Sequence, residues 1–286
     1  MPANIISASR RSDIPAFYMP WFMQQIEQGF FEVENPYNRR ISKIGAGVDE
    51  VYAIVFWSKD FGEFLDQGHG QKLRDRGYRL FFNFTINSPH LGLEPGMISL
   101  KRRMDQLRRL CDAFGPESIQ WRFDPICHFS DPQGRISDNL DQYETIAADA
   151  ASLGIKQCIT SFVDLYRKVK RRMARYSQLI LMDPDMDHKV RIITQMAHCL
   201  SGKNIDLHLC CEKEVLAALP TALGVKRAAC IPGRYLMDLF GLAITPRPDT
   251  GQRTAAGCGC NLSKDIGSYR LHPCRHNCLY CYANAQ

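Results

Sequence analysis

No stretch of the 286-residue chain approaches the run of roughly 20 apolar residues that a membrane span requires. The first residues, Met1-Pro-Ala-Asn-Ile-Ile, contain neither a basic n-region nor a long apolar h-region, so a cytoplasmic protein with no membrane partner is expected. No Gly-x-Gly-x-x-Gly follows any candidate strand, which argues against a dinucleotide-binding sheet. There is no internal repeat, no low-complexity segment and no obvious general acid or base. Cysteine, by contrast, is abundant: twelve residues, which in a reducing cytosol point to metal ligation rather than disulfides.

The length suits one large α/β barrel or two small domains, and a hydrophobic share of 45% with 23% charged residues is ordinary for a globular chain. Most of the net charge of +6 lies in two helix-like runs, Lys101 to Arg109 and Arg167 to Arg175. Such runs read as solvated helix faces; the functional alternative is attraction of a phosphate-rich partner, a nucleic acid or nucleotide.

Short apolar or β-branched segments alternate with longer amphipathic ones. Strands are expected at Asn4 to Ser9, Val51 to Trp57, Arg79 to Ile86, Ile119 to Phe123, Gln157 to Val163, Ile205 to Cys210 and, weakly, Arg227 to Ile231. Helices are expected at Pro15 to Gln28, Phe61 to Gly77 (broken near Gly68-His-Gly70), Ile98 to Phe114, Asp138 to Leu153, His188 to Leu200 and Glu212 to Leu223. This alternation indicates an α/β chain folded as a complete or partial TIM-like (β/α) barrel over 1–242, with a cysteine-rich segment, 243–286, packed on it.

In such barrels function collects at the carboxyl ends of the strands. The polar residues found there are Arg10, Arg11 and Asp13, then Ser58, Lys59 and Asp60, then Asn83, Thr85 and Asn87, followed by Arg122 and Asp124, Ser161 and Asp164, and Cys210-Cys211-Glu212. Helix capping by Asp13 or Asp60 and a rim ion pair between Arg122 and Asp124 are the plain alternatives.

The chemistry is concentrated at the end: Cys274-Arg-His-Asn-Cys278-Leu-Tyr-Cys281-Tyr-Ala. A structural zinc site wants four ligands, and here His272 or His276 would have to complete it. Three thiols in one loop suit a four-iron, four-sulfur cluster better, each ligating one iron and leaving the fourth open. The Cys-x3-Cys-x2-Cys spacing resembles that of the radical S-adenosylmethionine (SAM) enzymes. That resemblance implies a [4Fe-4S] cluster on Cys274, Cys278 and Cys281, with SAM bound at the open iron and cleaved to a 5′-deoxyadenosyl radical. It also implies an electron donor such as flavodoxin or ferredoxin. By position, Arg10, Lys59, Thr85, Arg122, Ser161 and Tyr280 are the SAM-binding candidates, and Arg11, Asp13, Asp124 and Asp164 the substrate-binding ones.

Ile5 to Tyr18, Ala53 to Lys59, Trp121 to Ile126 and Ser263 to Tyr269, with the terminal cysteines, resemble the domain-of-unknown-function 1848 (DUF1848) family over essentially the whole chain. That family brings no established reaction. The tail also resembles the cluster loop of the spore photoproduct lyase-like radical-SAM proteins. There the loop precedes turns and strand ends that here come first, as Asp13-Ile-Pro15, Ser58-Lys59 and Glu94-Pro95, so the resemblance implies a circular permutation. Fold and cofactor transfer more safely than substrate, which is left open, nucleic acid and nucleotides included.

Cys258, Cys260, Cys211 and Cys230 form a second set of four thiols, in which Cys210 could replace Cys211, suited to zinc or to a second iron-sulfur cluster. Cys111, Cys127, Cys158 and Cys199 lie in apolar contexts and read as buried fillers. Two alternatives to the enzyme stand: a zinc-binding, nucleic-acid-binding module, and an iron-sulfur electron carrier without SAM chemistry.

Overall fold

A computed structural model describes residues 4–35, 38–241 and 244–284. The chain opens with β1 (Asn4–Ala8), followed by α1 (Ile14–Phe17), α2 (Met19–Gln28) and a hairpin of β2 (Phe30–Glu34) and β3 (Ile41–Gly45). Next come β4 (Val51–Ser58), α3 (Gly62–Asp66), α4 (His69–Asp75), β5 (Leu80–Thr85), α5 (Leu100–Phe114) and β6 (Ile119–Ile126). Beyond them lie β7 (His128–Ser130), β8 (Ile136–Asp138), α6 (Tyr143–Ser152), β9 (Gln157–Phe162), α7 (Arg167–Tyr176), β10 (Ile180–Met182) and α8 (Met186–Ser201). The chain ends with β11 (Asp206–Leu209), α9 (Lys213–Ala218), β12 (Lys226–Arg227), α10 (Gly233–Phe240) and β13 (Lys264–Asp265).

Eight strands form one sheet in the order β12-β11-β9-β6-β5-β4-β1-β13, with every neighbouring pair parallel. β7, β8 and β10 make a small antiparallel sheet beside it. Parallel strands joined by helices bury both faces, which is why β4 is apolar almost end to end. Its alternate residues serve two cores. Ile54 and Phe56 pack with Phe82, Phe84, Trp121 and the helices; Ala53 and Val55 pack with Phe81, Ile159, Leu236 of α10 and the thiols Cys230, Cys258 and Cys260. The inner face of the sheet is therefore covered by the cysteine-rich segment itself.

Of the complete or partial barrel expected from the alternation, the complete form is not made: among the described residues the two edge strands β12 and β13 do not pair, and the parallel sheet is open. Both edges are two-residue strands. Between them runs the irregular 258–261 segment, whose Gly259 and Asn261 amides bond the Ala228 and Ile231 carbonyls without extending the ladder. The expected boundary at 242/243 lies outside the described residues. The expected helix Pro15 to Gln28 is split at Tyr18, because Pro20 in the first turn of α2 has no amide to continue α1. The β2–β3 hairpin and α10 were not foreseen. No helix among the described residues is long and apolar enough to cross a membrane.

Phe82 anchors the helix-side core, its ring 5.0 to 5.9 Å from those of Phe56, Phe61, Phe64 and Phe114. Phe82→Ala should cost about 3–5 kcal/mol of unfolding free energy in a urea titration. Leu91→Ala, at a position 81% exposed, should change it by no more than about 0.5 kcal/mol.

Candidate functional site

The terminal loop folds back onto the carboxyl ends of β1, β4 and β5. One buried carboxylate, Asp13, sets its place. Its Oδ1 accepts from the Ala16 amide (3.0 Å) and the Ser58 hydroxyl (2.7 Å), and its Oδ2 lies 2.9 Å from the Lys59 amide and 2.8 Å from His276 Nε2. Asp13 is thus both the N-cap of α1 and a tether for the loop. Tyr18 donates to the Pro273 carbonyl, Tyr282 to the Arg10 carbonyl, and the Leu279 amide to the Leu93 carbonyl. Gly96 permits the close approach: a Cβ there would lie 2.7 Å from the His276 carbonyl oxygen.

Arg172 of α7 locks the loop from the other side, donating to the carbonyls of Leu279 (3.0 Å), Cys281 (2.8 Å) and Asn284 (2.9 Å). His272 packs on Trp21, with ring centroids 4.1 Å apart, and burial lowers its pKa to about 4. Of the two histidines that could complete a zinc knuckle, His276 is thus engaged by Asp13, whereas His272 Nδ1 is buried without a hydrogen-bond partner.

Behind the thiols lies a buried polar network. Lys59 Nζ is 2.8 Å from Glu94 Oε1, which also accepts from the Tyr280 hydroxyl and from Asn87 Nδ2. Burial alone would depress the Lys59 ammonium, but the Glu94 carboxylate and the Cys278 sulfur outweigh it and raise its pKa. Against its burial, Glu94 is held low by Lys59, the Tyr280 hydroxyl and the Arg103 charge. Burial raises all three loop thiols, Cys274 to about 12, with Lys59 pulling each the other way. Deprotonating them therefore needs a cation to take the place of their protons. Arg103 of α5, fully buried beside Glu94 and Cys278, has no partner for Nε, Nη1 or Nη2, and Glu94 Oε2 is likewise unpartnered. An unengaged guanidinium in the interior is costly without an anionic acceptor.

The second set of thiols lies on the inner face of the sheet. Cys210 Sγ is 3.8 Å from Cys211 Sγ and 3.8 Å from Cys230 Sγ; Cys211 contacts Cys258, Cys258 contacts Cys260, and Cys260 contacts Cys230. Thiol donors Cys230 and Cys258, together with the Arg10 charge, hold Cys260 far below the usual thiol range. Among the described residues no three His, Cys, Asp or Glu side chains are gathered as a preformed metal-holding group, in this set or in the terminal loop.

The candidate residues divide between the two sets. Lys59, Tyr280 and Asp13 meet the terminal loop. Arg10 and Arg122 flank the Trp57 ring, each 5.3 Å from its centroid, and turn to the inner thiols: Arg122 Nη1 is 2.7 Å from Cys230 Sγ, and Arg10 contacts Cys260. Asp124 is held by Arg122 and by Ser161. Asp164 is exposed and paired with Arg253, and Arg11 donates to the Gly267 carbonyl. Thr85, half-buried, ends β5 opposite Arg122 in register. Cys111, Cys127 and Cys158 are buried, and their thiols are raised by burial, as fillers would be, whereas Cys199, expected among them, is only half-buried.

Two buried arginines lay hidden in the basic runs. In α5 and α7 most basic side chains are solvated, but Arg103 shares a face with Leu107 and Leu110, and Arg172 lies beside Val169 and Met173. Their place in the apolar stripe was the available signal. Glu94 and Asn87 were visible only as a Glu-Pro pair and a strand end.

The chain belongs to the DUF1848 family, a domain of unknown function, whose model matches residues 5–283. No curated protein matches the sequence. Among solved structures it is similar to the 1.8 Å crystal structure of IOLI protein with a binding zinc atom, at 9% identity and a TM-score of 0.31. That match covers 82% of this chain and 64% of that one, less than two thirds of its length, and carries no argument about chemistry.

Arg172→Met should undock the loop. Native-state alkylation followed by mass spectrometry should find Cys278 and Cys281 labelled far faster than in the wild type, with a stability loss of about 1–3 kcal/mol from the orphaned carbonyls. Unchanged labelling would mean that Arg172 does not hold the loop.

Proposed function

We propose that this protein is a radical SAM enzyme built on a partial, circularly permuted barrel. The observation that carries the reading is the docking of a three-thiol loop at the carboxyl end of a parallel sheet, beside a buried ammonium and an unengaged buried guanidinium. The donor set fits: three thiols from one loop, His276 held by Asp13, and positive charge waiting for an anionic group. Cys274, Cys278 and Cys281 would hold the cluster, which when bound and reduced supplies an electron for the cleavage of SAM.

The chain's own groups bind and orient. Lys59 places a positive charge beside all three sulfurs, which offsets the charge of their thiolates. Arg103 holds three buried N–H-bearing nitrogens free for an anionic cofactor group. The Tyr280 ring lies under Lys59, 5.6 Å from Nζ to centroid, and its hydroxyl is fixed on Glu94. Arg172 and Asp13 fix the loop backbone, so the thiols are presented with little freedom to lose. Arg10 and Arg122, engaged with the inner thiols, are not assigned to SAM in this reading. The electron would come from a flavodoxin or ferredoxin.

Anaerobically reconstituted protein with SAM and dithionite should form 5′-deoxyadenosine. Cys278→Ala should abolish it while the circular dichroism spectrum stays that of the wild type, because Cys278 packs in the small third cluster and in neither large core. A colourless protein carrying zinc in the terminal loop would end the radical-SAM reading.

A further inference from the structure

We propose that the inner-face thiols Cys211, Cys230, Cys258 and Cys260 bind one tetrahedral divalent cation of the zinc class, which ties together the open edge of the sheet. The site is independent of the terminal loop and of the chemistry proposed for it.

The thiols are packed closely enough to serve one ion: Cys210 Sγ lies 3.8 Å from the Sγ atoms of two of the ligands, Cys211 and Cys230, and each ligand sulfur touches another of the set. The five sulfurs form a closed ring of contacts, 210–211–258–260–230, with no disulfide among them. Ligation gathers four of them by side-chain rotation, each sulfur that is still a thiol giving its proton to water as its bond to the metal forms. Cys210, half-buried and 3.8 Å from Cys230, remains as a neutral thiol donor.

The backbone is arranged for these sulfurs. Cys211 takes a left-handed φ of 62°, a conformation that is strained for a residue with a side chain. Gly259, between the two ligands of the Cys-Gly-Cys turn, could carry no side chain: its Cβ would lie 2.5 Å from the Ala228 carbonyl oxygen. That contact presses the 258–261 segment against the continuation of β12, where the Gly259 amide bonds Ala228 and the Asn261 amide bonds Ile231. The ligands thus come from the ends of β11 and β12 and from the strip that runs on to β13, so one ion spans the gap that the hydrogen-bonded sheet leaves open.

Charge accounting agrees. Four thiolates on a divalent ion carry a net charge of minus two. Arg122 reaches Cys230, Arg10 contacts Cys260 and Arg253 acts on Cys211 from the rim, so cations lie nearest the sulfurs and offset part of that charge, Arg122 and Arg253 being shared with Asp124 and Asp164. Arg10 Nη2 is buried and otherwise unpartnered. Cys230, Cys258 and Cys260 are all buried, as the ligands of a closed structural site are.

The test uses the full chain, stripped of metal by a chelator under anaerobic conditions and titrated with Co2+. The wild type and the Cys274→Ser/Cys278→Ser/Cys281→Ser variant should both develop the visible absorption of tetrahedral cobalt-thiolate, saturating one equivalent at this site. Loss of that absorption in the terminal-loop variant would overturn the proposal. Cys258→Ser/Cys260→Ser should lose it. Should that variant fail to fold, peptide mapping of the wild type decides: Zn2+ should suppress alkylation of Cys258 and Cys260, and equal labelling with and without zinc would overturn the proposal.

Discussion

The arrangement depends on one buried carboxylate. Asp13 is 5% exposed, yet four donors converge on it, from the first turn of α1, from the Ser58 hydroxyl and Lys59 amide at the end of β4, and from His276 in the terminal loop. A buried carboxylate is tolerated only when its oxygens are fully engaged, so each of these three pieces needs the other two. Its effect is to hold the end of the chain against its beginning. β13 does the same at the edge of the sheet, where Asp265 accepts from the hydroxyls of Ser7 and Ser9 and from the Arg10 amide. Two acidic side chains thereby place the cysteine-rich segment on the strand ends that a single short β1 provides.

Much of the sheet was legible because parallel strands buried on both faces leave a local mark. Val51 to Trp57 is apolar at nearly every position, and the structure forms β4 over Val51–Ser58. What was not legible was closure. The last strand does meet the first, β13 pairing with β1, but closure needs β13 to meet β12 as well, and neither Lys226-Arg227 nor Lys264-Asp265 has a pattern that distinguishes an edge from a seam. The β2–β3 hairpin, with exposed Ile41, Ser42 and Lys43 on one strand, has too weak an alternation to read.

The candidate site was legible by position and not by neighbour. Strand periodicity locates Arg10, Lys59 and Arg122 at one end of the sheet, but which thiols each one meets depends on how the tail crosses that end. Lys59 meets the terminal loop; Arg10 and Arg122 meet the inner thiols across Trp57. The basic runs misled for a related reason. A helix such as α5, with Lys101, Arg102, Arg108 and Arg109 solvated, presents so much charge that a single arginine on the opposite face is lost in the average. Arg103 and Arg172 stand out only once the apolar stripe is traced residue by residue.

Between the two sets of thiols stands a wall made of an amide. Asn87 Nδ2 lies 3.2 Å from Glu94 Oε1, the Asp124 carbonyl and the Tyr280 hydroxyl, sharing its two hydrogens among them, and its Oδ1 accepts the Asp124 amide. On one side lies the Lys59–Glu94 pair, on the other the Arg122–Asp124 pair, each of opposite charges in direct contact. A carboxylate at position 87 would add charge to one pair or the other and shift both in a medium of low dielectric. A neutral amide fills the same hydrogen-bonding positions with no net charge, so each pair is balanced within itself. The cation beside the terminal loop and the arginines beside the inner thiols can then be set by separate partners, although a continuous chain of hydrogen bonds joins them.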